Sequence, residues 1–467
     1  VNSSGLVETV ELLGSNVVTN GDFATDTDWN LGTGWTISGG SANCDGTQTG
    51  STNLNNNNSN GLINNIQYIA TYTISNYSAG SIRIKLGNNG FGTYNSTNGT
   101  YTENITAIVS TFPYAQFNAD SSFVGSIDNI SVKEYTANNL ARVDYDGTAS
   151  SLLVEPQRTN LITYSSDFTD SSWANVGVTV TPNNATSPDG TLNASSIELT
   201  SGDYMYLTYS TTINIGDTYT WSCFVKSSSI KINWGGGTPD GTDINTIEAL
   251  SNGWYRQVLQ RTFTTTGTGM QAMFAASIAG IGLFDVWGAQ IEEGYATSYI
   301  PTDGGTVTRV QDQYSKTGIS NLINSEEGVL FVEMAALSND LTNRSITISD
   351  GSTNNIIQIL FSSVSNTIRF IIRVGGVGGD NLDKSTSSYT VTDFNKVALK
   401  WEQNNAQVWI NGTQLGSPDT NSDSPTGLND LSFEYLTVGN NFYGKVKQLQ
   451  VFKTALTDSE LIALTTI

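Results

Sequence analysis

Histidine is absent from the 467 residues, and cysteine occurs only twice, at Cys44 and Cys223. The first absence removes Ser–His–Asp and Cys–His catalysis and His-ligated zinc. The second excludes a disulfide scaffold and a four-thiolate metal site, and leaves both thiols to be read as buried small apolar residues. Charge is scarce as well: 13% of the residues are Asp, Glu, Lys or Arg, about half the usual share of roughly 25%. The formal net charge is −22, which repels phosphate backbones and argues against a nucleic-acid partner. No apolar run approaches the ~20 residues of a membrane span, so membrane insertion is not expected. Val1 comes first with no signal peptide ahead of it, and we read the N-terminus as processed or incompletely recorded.

Small polar residues fill the gap, with Gly alone supplying 46 positions. Asn, Ser, Thr and Gly are poor in helix interiors, while Thr, Tyr, Val and Ile favour strands, so the composition reads as all-β. Almost every periodic segment has period two. Tyr68–Ile74 and Ser81–Leu86 alternate polar with apolar, and further strands are expected at Ile127–Val132, Thr218–Val225, Gly328–Ala336, Ile356–Phe361, Thr367–Val374 and Lys396–Glu402. Asn411-Gly412, between Gln407–Ile410 and Thr413–Leu415, suits a type I′ hairpin turn. One helix is expected, where Thr457-Asp458-Ser459-Glu460 caps Leu461–Leu464.

At about 150 residues per domain, the length suggests about three domains. Composition places a β unit at 14–135, a second at 158–310 and a third at 326–467, with 311–325 as a linker. The first two open alike: Asn20-Gly21-Asp22-Phe23 before Trp29, and Asn160 to Ser166-Asp167-Phe168 before Trp173. Strand, Asp-Phe, short polar loop and Trp recur in both, which reads as a divergent internal repeat. Many short strands with regular turn signals predict three tandem jelly-roll or β-sandwich domains with a short C-terminal helix.

The unit 14–135 resembles a carbohydrate-binding-module jelly roll, on its opening Asn20-Gly21-Asp22-Phe23 and its closing Asp128-Asn129-Ile130. That resemblance implies a structural calcium between the two ends, with Asp128 as the closing ligand and Ala24 where the family carries Glu. Leu152-Leu153-Val154-Glu155-Pro156-Gln157-Arg158-Thr159-Asn160-Leu161 resembles a phrase of tailed-phage virion proteins. So do Trp287-Gly288-Ala289-Gln290-Ile291-Glu292-Glu293-Gly294, Thr297–Thr302 and Thr306–Arg309. In such relatives, a segment like Arg142–Tyr145 follows one like Val1–Glu8. The resemblance therefore implies that the first jelly roll is inserted, and that a connector at 136–157 pairs with the N-terminal segment 1–13. The unit 326–467 resembles a laminin-G-like or concanavalin-A-like sandwich, on Gly328–Glu333, Trp409–Gly412, Tyr443–Phe452 and Ala455–Leu461.

Candidate sites follow from chemistry. Aromatic faces suited to sugar stacking are Trp29, Trp35, Tyr94, Tyr114 and Trp234, the last within the loop Trp234-Gly235-Gly236-Gly237. On this reading Trp234→Ala weakens glycan binding and leaves the melting temperature unchanged. Trp221, Trp287, Trp401 and Trp409 lie in strands and are read as core. Calcium takes six to eight oxygens, and its candidate ligands are Asp22, Asp128, Asp167 and Asp285, with Asp26, Asp28, Asp419 and Asp423 in similar loops. The competing reading is that these acids form turns. The Asn-x-Ser/Thr triplets at Asn76, Asn95, Asn98 and Asn104 are acceptors only in a secreted eukaryotic protein.

Glucanases of the third unit's fold carry Glu-x-Asp-x-x-Glu on one strand, and Glu326, Glu327 and Glu333 do not reproduce it. The expectation is a non-enzymatic phage virion structural protein, a capsid decoration or tail appendage. Its expected partners are copies of itself, other virion proteins and host surface glycans, and its expected place is the virion surface. A secreted or cell-surface bacterial adhesin is the alternative, and a glycan depolymerase the third reading.

Overall fold

The computed structural model describes residues 6–7, 12–57, 61–136, 141–146, 148–250, 253–279, 282–376, 381–436 and 439–467. The fold is all-β. Two compact units divide the chain, Val10–Leu140 and the remainder.

The Val10–Leu140 unit contains β1 (Leu12–Asn16), β2 (Trp29–Leu31), β3 (Trp35–Ser38), β4 (Ser41–Asp45), β5 (Thr52–Asn56) and β6 (Gln67–Ala79). It continues with β7 (Ile82–Leu86), β8 (Gly90–Phe91), β9 (Gly99–Thr106), β10 (Ala115–Ala119) and β11 (Val124–Thr136). One sheet runs β3-β4-β11-β6-β9, with β1 also on β11; the other runs β2-β5-β10-β7-β8. Alternation dictates the layers. In β7, Ile82, Ile84 and Leu86 are fully buried, while Arg83 and Lys85 point outward. The opening and closing phrases meet: the Ile130 N–H donates to the Gly21 carbonyl at 2.8 Å. A Cβ on Gly21 would lie 2.2 Å from the Ile130 carbonyl oxygen, so only glycine permits this approach.

The chain continues with a hairpin, β12 (Arg142–Asp146) and β13 (Ala149–Val154), then β14 (Arg158–Asn160), β15 (Trp173–Val176), β16 (Thr179–Thr186), β17 (Leu192–Leu199) and β18 (Tyr204–Tyr209). Next come β19 (Thr218–Val225), β20 (Asn233–Trp234), β21 (Gly241–Ala249), β22 (Tyr255–Phe263), β23 (Met270–Ala275), the single-turn α1 (Ala276–Ala279), β24 (Gly282–Glu293) and β25 (Val307–Arg309). A sheet β16-β17-β24-β19-β22-β21 faces a sheet β15-β18-β23-β20, and β14 pairs with β25. The internal repeat is visible in three dimensions. Phe23–Trp29 and Phe168–Trp173 both set ring centroids 5.0 Å apart. Each indole N–H donates to a main-chain carbonyl nine residues upstream, Trp29 to Asn20 at 2.9 Å and Trp173 to Tyr164 at 3.0 Å.

The C-terminal sandwich comprises β26 (Ser315–Lys316), β27 (Glu327–Ala336), β28 (Arg344–Ser349), β29 (Ile356–Phe361), β30 (Ile368–Arg373) and β31 (Leu382–Thr386). It is completed by β32 (Asn395–Glu402), β33 (Gln407–Ile410), β34 (Thr413–Gln414), β35 (Asp430–Ser432), β36 (Gly444–Phe452) and α2 (Asp458–Thr465). Its sheets run β26-β35-β28-β29-β30-β31 and β12-β13-β36-β27-β32-β33-β34. The expected hairpin forms, with Asn411 at φ 48° and Gly412 at φ 79°. The expected helix is α2, closed by a Thr457/Glu460 capping box.

One connection differs from expectation, and another reaches beyond the described residues. The 136–157 connector contributes β13, which pairs with β36 through Leu152–Val446 and Val154–Gly444. Its expected partner, the N-terminal segment 1–13, lies largely outside the described residues. The 311–325 stretch is no free linker: β26 pairs with β35, and Ile323 is buried in the sandwich core. Apolar Ile323 inside a polar run is what anchors it.

Candidate functional site

The virion-like phrases fold onto one another as a structural clasp. Asn160 donates to the carbonyls of Ala289 (3.0 Å) and Ile300 (2.8 Å), and accepts from the N–H groups of Ile162 and Ile291. Gln290 accepts from the Ile300 N–H at 2.7 Å. Glu292, fully buried, accepts from the Thr297 N–H at 2.9 Å and hydroxyl at 2.6 Å. Burial pushes the Glu292 carboxyl above its ordinary range, and Arg256 and Thr297 offset only part of that. Glu155 binds Arg142 (2.6 Å) and Arg309 (3.0 Å) and accepts from the Ser298 N–H at 2.7 Å. Asp312 joins through Arg142 and the Glu155 N–H. Burial pushes Glu155 up, but Arg309, Arg142 and Ser298 outweigh it and hold the carboxyl below the ordinary range. Most of these polar groups are occupied by a neighbour, while Arg158, Arg256 and Arg309 each keep a buried Nε without a hydrogen-bond partner among the described residues; the phrases build a joint between elements.

The sequence-derived candidates separate by face. Trp29 (6% exposed), Trp35 (5%) and Trp234 (7%) pack in cores. This corrects their reading as sugar platforms, because a ring covered on both sides has no face to offer. Trp234 sits in β20, across from Ala272, with Phe263 at 6.5 Å. Tyr94 is 45% exposed, and its hydroxyl donates to Asn118 at 3.0 Å. Tyr114 is half-buried, edge-on to Phe112 at 5.7 Å.

The four carboxylates expected as calcium ligands each make local hydrogen bonds. Asp22 accepts from the Ala24 N–H at 3.4 Å, and Asp128 from the Asn129 N–H at 2.6 Å. Asp167 accepts from the Thr169 N–H at 2.9 Å and hydroxyl at 2.6 Å. Asp285 accepts from the Ser196 hydroxyl at 2.6 Å and has Lys226 at 3.8 Å. Among the described residues no three His, Cys, Asp or Glu side chains gather to hold a metal ion. In the structure these acids close turns and pair strands.

A groove of about 450 Å³ lies on the outer face of the β15-β18-β23-β20 sheet. Period two builds it: Met205 and Leu207 enter the core, while Tyr204 and Tyr206 face out from the same strand. Their rings lie 6.1 Å apart at an interplanar angle of 23°, one nearly continuous aromatic strip. On the next strand Ala275 is paired with Tyr204, Met273 with Tyr206, and Gln271 with Thr208. The glycine loop after Trp234 forms a wall. Gly235 N–H donates to the Gln271 carbonyl (2.9 Å), and Gly237 N–H to the Gln271 side-chain oxygen (3.2 Å). A Cβ on Gly235 would lie 2.4 Å from that oxygen. Asp203, whose carboxylate accepts from the Thr200 N–H (2.6 Å) and hydroxyl (2.7 Å), closes one end. The Thr200 hydroxyl and N–H hold that carboxyl below its ordinary range. Tyr204, Tyr206, Gln271 and Met273 were not among the expected site residues. The signal that could have found them is the Tyr-Met-Tyr-Leu alternation, which puts two aromatics on the face opposite two core residues.

A family model described as the concanavalin A-like lectin/glucanases superfamily matches residues 332–462. Comparison with curated proteins finds no match. Among solved structures, the chain is similar to the CBM40 domain of the Ruminococcus gnavus IT-sialidase bound to alpha2,3 sialyllactose. The identity is 18%, the TM-score 0.28, and the match covers 32% of this chain and 98% of that one. A leech intramolecular trans-sialidase matches at 18% identity and TM-score 0.29, covering 33% of this chain and 26% of that one. Domains LG4-5 of the mouse laminin alpha1 chain match at 10% identity and TM-score 0.21, covering 68% of this chain and 96% of that one. The family match falls within the C-terminal sandwich.

Proposed function

We propose that the protein binds carbohydrate, with the Tyr204/Tyr206 groove as the site. The observation that carries this reading is two near-parallel, outward-facing tyrosine rings, Tyr204 exposed and Tyr206 half-buried, on a face walled by a glycine loop. Aromatic rings offer flat apolar surface to the C–H face of a pyranose, and Gln271, Asp203 and Thr208 offer donors and acceptors for hydroxyls. The groove's volume falls in the range of small-ligand sites, roughly 300–1,000 Å³. A family match whose description includes lectins lends support from a separate domain.

The proposed role is binding rather than catalysis. Glycoside hydrolysis takes two carboxyl groups flanking the bond, and Asp203 is the one acid among the described residues that line the groove. The proposed setting remains a phage particle, where the chain would associate with copies of itself and other virion proteins and hold host surface glycans. The resemblance of the clasp phrases to virion proteins supports this setting.

The test is a Tyr204→Ala/Tyr206→Ala double variant of the full chain, titrated with cellohexaose, xylohexaose and mannohexaose. At about 0.5–1.5 kcal/mol per aromatic contact, loss of both rings should weaken the bound oligosaccharide about tenfold. The melting temperature should barely change, since both side chains are partly exposed. Equal affinity in the double variant, or no binding of any of the three, sinks the reading.

A further inference from the structure

The outer face of the β2-β5-β10-β7-β8 sheet carries a second arrangement, independent of the tyrosine groove. Register lines its side chains up in two rows. Asn30, Asn55, Gln116, Lys85 and Phe91 stand side by side across the five strands, and Asn53, Asn118 and Arg83 form the next row. Tyr94 follows β8 and ties itself to the second row through Asn118 at 3.0 Å; Asn118 in turn donates to Asn53 at 2.9 Å.

The Arg83 guanidinium lies between two rings, its Cζ 3.9 Å from the Phe91 centroid and 4.3 Å from that of Tyr94. Lys85 Nζ lies 5.7 Å from Phe91. Both rings are nevertheless 45% exposed. Among the described residues neither cation has a carboxylate within ion-pair distance, and Arg83 Nε is buried without a hydrogen-bond partner. Burial, with Arg83 adding repulsion, lowers the Lys85 ammonium pKa from its ordinary value. Two neighbouring cations without a counter-charge are an unusual use of basic residues in a chain with 20 of them and 42 acids. Holding them together costs repulsion that a bound anion would remove.

From this charge complementarity we infer that the face is a second carbohydrate site, specific for an acidic polysaccharide whose uronate carboxylate seats on Arg83 and Lys85. The rings orient the guanidinium before the ligand arrives, so little side-chain freedom is lost when a carboxylate pairs with it. Exposed Asn53 and half-buried Asn118 offer amides to hydroxyls, which a bare anion would not use. The chemistry selects a polyhydroxylated carboxylate over a neutral sugar or a bare charged polymer.

The experiment measures binding of the full chain to polygalacturonate, alginate and hyaluronate, beside dextran, dextran sulfate and polyphosphate. Binding of at least one uronate polymer in preference to the other three is expected. Arg83→Gln should weaken it about tenfold or more, since a charge-assisted pair is lost. Lys85→Gln should weaken it less, and added salt should weaken it in the wild type. Tyr204→Ala/Tyr206→Ala should leave it unchanged, which separates this site from the groove. Should Arg83→Gln lower the melting temperature, Lys85→Gln alone decides, because its ammonium grips no ring closely. Failure to bind any uronate polymer, equal binding by the variants, or preference for dextran sulfate or polyphosphate would overturn the assignment.

Discussion

Trp234 and the three glycines after it have opposite fates. The glycines wall the groove through Gln271, while the indole is 7% exposed among Phe263 and the β23 side chains. Gly-rich surroundings suggested an exposed ring, but β20 pairs antiparallel with β23 and turns Trp234 inward. Truncation should therefore act on stability. We expect Trp234→Ala to destabilise the protein by about 3 kcal/mol, the scale of an aromatic removed from a core, read as a lower urea midpoint. An unchanged midpoint would return the ring to the surface. Cys44 and Cys223 do match their reading: both are buried, and burial raises both thiol pKa values. Tyr204 and Tyr206 were legible only as alternation, since polarity does not say which outward-facing tyrosine borders a concave face.

At the scale of elements, the Glu155 clasp joins β12, β13, β25 and the strand-free segments between them. Glu155 has Arg142 and Arg309 as partners and is only 3% exposed. Replacing it by Gln keeps the shape but leaves two buried guanidinium groups short of charge, and breaking such a pair costs about 3–5 kcal/mol. The pH dependence follows from the depressed carboxyl. Between its folded and unfolded pKa values the unfolded chain binds more protons, so Glu155 stabilises fully above about pH 4.3 and progressively less on acidification. We expect urea midpoints at pH 7 to be lower for Glu155→Gln than for wild type. The gap should close as pH falls below about 4. Equal midpoints at pH 7 would show that the clasp contributes nothing. The hairpin at Asn411-Gly412 and the Thr457/Glu460 cap were fully legible, because both are settled within a few neighbouring residues. The pairing of β13 with β36 was not, because a ladder's partner is chosen by remote register.

At the scale of the whole molecule, sparse charge and abundant small polar side chains suit a surface that hydrogen-bonds sugars and neighbours. Among the described residues no helix is long and apolar enough to cross a membrane. In the proposed setting, the protein should band with phage particles in a density gradient at a fixed copy number relative to the major capsid protein. Recovery only in the bacterial envelope fraction would assign it to an adhesin, and release of reducing ends from polysaccharide would make it a depolymerase. Period-two patterning, turn chemistry and composition determined by themselves that the chain is all-β, where its clearest strands lie, and that a Phe–Trp unit recurs. Alternation says only that two faces exist. Which aromatics face water, which strands complete a sheet, and that Arg83 and Lys85 stand together with no carboxylate beside them among the described residues were decided by tertiary structure, because each depends on residues brought together across the chain.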